Sequence, residues 1–157
     1  MSSIKPTAAN MIQVNTQKSL YPEPFASMMQ GRVKRKLGDY FGLTNFGINL
    51  TELEPGAMSA LKHHHLTQDE FIYILQGTPT LIFGDNEFLM QAGDCFGFKK
   101  AQGVGHQLIN KSHETVTYLE IGDRSPDDKA EYPDDDLMAI SEDSGRWLFL
   151  HKDGSPY

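Results

Sequence analysis

The run GAMSALKHHHLTQDEFIYILQG, residues 56–77, places His63, His65 and Glu70 within one short stretch, and its reading decides the fold. In an extended strand successive side chains alternate faces, so His63 and His65 project to one side while Lys62 and His64 project to the other. Two imidazoles then converge on one interior point, and His64 is expected on an outer surface. Glu70 follows His65 at an odd spacing that a continuous strand would send to the wrong face. Residues 66–69 must therefore be a turn that resets the register before FIYILQ begins the next strand.

A further donor is found in residues 93–110, GDCFGFKKAQGVGHQLIN, where His106 opens a strand after a glycine-rich turn and Asn110 shares its face. His63, His65, Glu70 and His106 are thus the candidate ligands of one metal ion. Three imidazoles and a carboxylate without thiolate suit a first-row divalent ion: Mn, Fe, Co, Ni, Cu or Zn. In an octahedral ion, four protein ligands leave two adjacent positions open for water or substrate.

These two segments together resemble the cupin superfamily, whose first motif reads G-x5-H-x-H-x(3,4)-E-x6-G and whose second reads G-x5-P-x-G-x2-H-x3-N. His63, His65, Glu70 and Gly77 meet the first motif, with Gly56 one residue further off than the pattern. Gly103, His106 and Asn110 keep the second, while Ala101 replaces the proline and the spacing from Gly93 is longer. The resemblance spans residues 44–121 and extends to small bacterial cupins, some of which carry a sugar-phosphate-isomerase label. It implies an all-β double-stranded β-helix, or jelly-roll barrel, built around one metal ion.

The remaining sequence agrees with an all-β chain of one domain. From Thr44 onward, short strand-like runs alternate with turns, and no apolar helical period persists. TNFGINLTELE sets Phe46, Ile48 and Leu50 on one face; residues 79–91 form a hairpin about Gly84, Asp85 and Asn86; TVTYLEIG and GRWLFLHKDG have strand character. Residues 1–43 divide off as an N-terminal arm and lead-in, with Pro22 and Pro24 against any continuous helix. Residues 44–122 form the barrel core, and 123–157 an acidic loop and C-terminal strand packing on the same barrel. Arg32, Lys34, Arg35 and Lys36 have two readings, an anion patch and, the commoner one, a solvated segment; Asp134, Asp135 and Asp136 read as a solvated loop lacking the ligand alternation of a calcium site.

A net charge of −7 argues against nucleic acid and anionic membranes as partners. No signal-peptide pattern or long apolar run stands in the sequence, so a cytoplasmic location is expected. The single Cys95 lies in the apolar run CFGF and reads as a buried small hydrophobe. FIYILQ is apolar on both faces, with Ile72 and Ile74 inward and Phe71, Tyr73 and Leu75 outward. The outward face needs a cover, either the arm or a second subunit, and a homodimer is expected.

By parity the pocket wall comprises Ile72, Ile74, Leu108 and Asn110, with no evident general base and no assigned catalytic side chain. Lys99 and Lys100 are the candidates to hold a phosphate, Asn110 is a polar handle, and Trp147 can cap the pocket or pin the tail. The expected function is metal-centred chemistry on a small oxygen-rich molecule, isomerase-like or dioxygenase-type. The alternative is a non-catalytic module that binds a small molecule or metal.

Overall fold

The computed structural model describes residues 5–157. Two sheets face each other, as a jelly roll requires. The first comprises β1 (Arg32–Lys36), β2 (Phe46–Leu53), β9 (Val116–Asp123), β4 (Glu70–Gln76) and β7 (Cys95–Phe98), in that order. The second joins a four-stranded sheet to a three-stranded one. The four are β12 (Trp147–Leu150), β11 (Met138–Ser141), β10 (Lys129–Glu131) and β3 (His64–His65). The three are β6 (Asn86–Leu89), β5 (Thr80–Phe83) and β8 (His106–Ile109). Isolated bridges Met58↔Ile109 and His63↔His106 stitch the two together, so the histidine run lies between β10 and β8.

The antiparallel register of the first sheet sorts its inner face into rungs. Thr51, Tyr118 and Ile74 stand opposite one another; so do Asn49, Glu120 and Ile72, and then Gly47, Gly122 and Glu70. Alternation explains why one end is a hydrophobic core. Leu53, Ile74 and Val116 are fully buried there with Leu81, Leu108 and Tyr118. Each large aliphatic side chain so buried contributes about 1.5–3 kcal/mol relative to exposure. Gly77 ends β4 at φ +83°, and an added Cβ would come within 2.9 Å of Val116 Cγ2, so only glycine fits that turn.

Either side of residues 44–122, β1 pairs with β2 and β10 pairs with β3. Other expectations are corrected here. The basic segment 32–36 is this edge strand, not a solvated stretch. A second core packs Tyr21, Phe25 and Met29 of the N-terminal arm against Leu61, Tyr132, Leu137, Trp147 and Phe149. Alternation in β2 is as expected, but its cavity face carries Asn49, Thr51 and Leu53, while Ile48 turns outward under the short helix α1 (Leu37–Tyr40). Cys95 is exposed, because Phe96 and Phe98 take the inner positions of β7 and leave Cys95 opposite Tyr73 on the outer face. Phe71, Tyr73 and Leu75 are exposed there too, so the arm is not their cover. Among the described residues no helix is long and apolar enough to cross a membrane.

Candidate metal centre and its cavity

Donor atoms of His63, Glu70 and His106 lie within 4.8 Å of one another. His65 stands outside that mutual grouping but beside Glu70, with its Nε2 3.6 Å from Glu70 Oε2, against 3.7 Å for His63 Nε2 and 2.8 Å for His106 Nε2. The backbone sets much of this. His63 and His106 exchange both amide hydrogen bonds, at 3.1 and 2.8 Å, which locks the two ligands side by side. Glu70 reaches the cluster because β4 starts after the register reset at residues 66–69. That turn is held by Asp128 Oδ1, which accepts hydrogen bonds from the Thr67 amide and hydroxyl. Gly122 stands opposite Glu70, where a Cβ would make an ordinary contact with Glu70 Cγ at 3.6 Å.

The chemistry of the donors fits a cation. His63 Nδ1 donates to the Leu61 carbonyl at 2.7 Å, which turns Nε2 and its lone pair toward Glu70. Burial, the largest influence, drives the His63 pKa down to about 3 despite the opposing pull of Glu70, so the ring is neutral at pH 7. A neutral imidazole lone pair facing a carboxylate is repulsive unless a cation stands between them. Glu70 Oε2 is itself buried and accepts no well-formed hydrogen bond, an arrangement that an ion would satisfy. Burial would raise the Glu70 pKa, but the His106 contact and the neighbouring imidazoles outweigh it and hold the group ionised. At His65 burial again lowers the pKa, and here the Asp128 hydrogen bond to Nδ1, with the charges of Glu70 and Asp128, more than reverses it. Asp128 is fully buried and orients the ring. His63, His65, Glu70 and His106 would hold the ion.

The cluster opens into a cavity of about 690 Å³ between the sheets. Ile72, Leu108 and Trp147 line it, with Trp147 edge-on to His65 at 5.9 Å. Other candidates lie elsewhere. Asn110 is fully buried outside the cavity, donating to the Leu53 and Glu114 carbonyls and accepting from Ser112; it pins a loop. Ile74 belongs to the core. Neither Lys99 nor Lys100 lines the cavity: Lys99 lies behind the cluster beside Gln102 and Val104, and the Lys100 amide binds Asp69. His64 points away from the ligands, as parity requires, but is covered, with Glu131 3.6 Å away. Ala101, at the place the motif gives to proline, has φ 57° and donates its amide to the His65 carbonyl at 2.9 Å. Proline could do neither, which accounts for the departure.

Sequence reasoning missed the polar side of the cavity. Glu120 accepts from Asn49 Nδ2 at 2.9 Å and from the Tyr118 hydroxyl at 3.1 Å, and pairs with Lys34. Burial would raise its pKa; the Lys34 ammonium and the Asn49 amide outweigh this and keep it below the usual carboxylate range. A carboxylate is therefore present in the cavity, where no base was expected. The signal lay in the alternation of TVTYLEIG, which sets a charged Glu120 on the face of buried Val116 and Tyr118. Arg32, Tyr21 and Tyr132 also line the cavity, brought there by β1, the arm and the chain after β10. Asp128 was hidden in an acidic stretch whose composition reads as solvated.

The cupin domain model matches residues 49–122. No curated protein matches. Among solved structures, a sugar phosphate isomerase from a cupin superfamily, from Silicibacter pomeroyi, is 38% identical, with a TM-score of 0.91 over 98% of this chain and 96% of that one. A protein from Acidithiobacillus ferrooxidans described as a candidate sugar phosphate isomerase is 29% identical, with a TM-score of 0.72 over 91% of this chain and 98% of that one. The polyketide cyclase from Streptomyces resistomycificus, 18% identical over 77% of this chain and 80% of that one with a TM-score of 0.60, shares the fold alone. With its histidine and glutamate ligand set, its facing sheets and a relative at 38% identity along nearly its whole length, the chain belongs to the cupin superfamily.

Proposed function

We propose that the chain is a metal-dependent isomerase acting on a small hydroxy-carbonyl compound of the sugar-phosphate class, with Glu120 carrying the proton. Glu120 carries this reading, as an ionised carboxylate in the same cavity as the ligand cluster but on a different strand from Glu70. Such an isomerisation moves a proton between neighbouring carbons, and one carboxylate can take it from the first and return it to the second. The names of the Silicibacter pomeroyi and Acidithiobacillus ferrooxidans structures support the same class. An internal proton carrier favours isomerisation over oxygen chemistry, which has no need of one.

A bound divalent ion would supply Lewis-acid polarisation of the substrate oxygens. The chain's own residues do the rest. Lys34 and Asn49 hold one oxygen of Glu120, leaving the other to the Tyr118 hydroxyl and the substrate. Tyr21, Tyr132 and Trp147 wall the cavity beside the reacting carbons.

The test is a panel of aldose and ketose phosphates incubated in deuterium oxide with the metal-loaded protein. Deuterium should enter at the carbon beside the carbonyl as product forms, and Glu120→Gln should lower turnover about 10²–10⁴-fold while metal content is unchanged. Turnover of Glu120→Gln within fivefold of the parent would remove Glu120 from the mechanism.

A further inference from the structure

We infer that Arg32 is the seat of an oxyanion carried by the substrate, a phosphoryl or carboxylate group, at the end of the cavity reached by β1. This rests on the reading of the cavity as the substrate site, and it adds the part of the substrate that binds away from the ion.

Four cations line the cavity: Arg32, Lys34, Lys36 and Arg124. Lys34 pairs with Glu120, and Lys36 and Arg124 share Asp39. Only Arg32 has no carboxylate partner among the described residues, and it is also the only one of the chain's four arginines without one. Its Nη1 donates to the Ser59 carbonyl at 2.5 Å and lies 3.4 Å from Met29 Sδ. The other donors of the guanidinium have no protein acceptor among the described residues. A half-buried guanidinium left with one carbonyl and a thioether is an expensive arrangement unless an anion completes it.

The surroundings suit that anion. A planar guanidinium fastened at one nitrogen keeps a two-pronged edge for an oxyanion, a match that lysine cannot make. Ser59 stands four residues before His63, and Leu61, between them, holds the His63 ring through its carbonyl. The anion seat and the metal ligand therefore share one short segment. The charge balance agrees: the four lining cations face four carboxylates, Asp39, Glu70, Glu120 and Asp123, in a chain whose net charge is −7. A divalent ion on the ligand cluster turns the cavity net positive, which draws an anionic substrate into an otherwise acidic protein.

The experiment measures binding of inorganic phosphate, and separately malonate, by calorimetry and thermal shift on metal-loaded and chelated protein. Saturable binding is expected in both preparations. Arg32→Gln should weaken it at least tenfold with unchanged metal content, and Arg146→Gln, outside the cavity lining, should leave it within twofold. The tighter of the two anions identifies the group as phosphoryl or carboxylate. If Arg32→Gln fails to fold, Arg32→Lys keeps the charge and loses the fork, and should still weaken binding at least threefold. Arg32 variants that bind within twofold of the parent, binding that vanishes from the parent on chelation, or no binding of either anion would each overturn the assignment. Anion binding through Arg32 without turnover of any sugar phosphate would instead leave the seat standing and remove the proposed reaction.

Discussion

Two ends of the same sheet face differ sharply. At one end, Val116, Ile74 and Leu53 are buried and close-packed; two rungs along the same strands stand Glu120, Asn49 and Glu70. Strand, parity and neighbours are common to both ends, so secondary structure cannot account for the contrast. The apolar end supplies stability, and the polar end spends some of it to keep buried charges in place. A change at either end should therefore leave a signature that the other does not.

The largest effect is expected at the core. Ile74→Ala should cost the metal-free chain about 2–5 kcal/mol in denaturant unfolding, through lost burial and the cavity left behind. Metal affinity should stay within threefold. A large drop in affinity would mean that the ends are not separable.

Next comes the ion itself. At a free concentration of a hundred times Kd, a divalent ion should stabilise the chain by about 2.7 kcal/mol, and chelation should remove that increment. Glu70→Gln, which removes the buried carboxylate charge, should abolish the difference between melting curves with and without chelator. An unchanged metal response would refute the ligand assignment.

Asp128→Asn gives a smaller change. It weakens the hold on His65 Nδ1 without replacing a candidate ligand, so metal affinity should fall about 10–100-fold, read by competition with a chromophoric chelator. Affinity equal to the parent's would make Asp128 a turn residue only.

The smallest expected effect is a pH slope. His63 in the folded chain titrates at about 3, below its unfolded value of 6.5, so the unfolded chain takes the proton first. The metal-free chain should accordingly lose stability as pH falls from about 6.5 toward 4.5. His65 runs the other way: its raised pKa contributes stability that is fully present below 6.5 and lost as pH rises, so it adds no slope of its own in the lower part of that window. His63→Gln should flatten the curve, and a curve already flat in the parent would place His63 outside the buried cluster.

The histidine run shows why the sequence was informative where it was. His63, His65 and Glu70 were legible because alternation and one register reset are local, and both are visible in twenty-two residues. Arg32 and Asp128 were not: β10 pairs with β3, a strand distant in sequence, and β1 enters the sheet by pairing with β2, outside the motif segments. Composition misread both segments as solvated because it counts charges without their partners. Cys95 was misplaced for a related reason: an apolar neighbourhood suggested burial, but Phe96 and Phe98 had already taken the inner positions of their strand. Asn110 shared a face with His106 on paper, yet its side chain was consumed by backbone groups of its own loop.

The reciprocal amide pair between His63 and His106 also bears on timing. Because the backbones of two candidate ligands are fixed by main-chain bonds, capture of an ion there would involve little search by the chain, and its release would either break ligand bonds one at a time or open both amides together. Those two amides are then a built-in clock. Their hydrogen exchange reports the opening of the barrel at that place, and loading with metal should slow both in step while leaving the amides of the Asn86–Leu89 hairpin strand at their own pace.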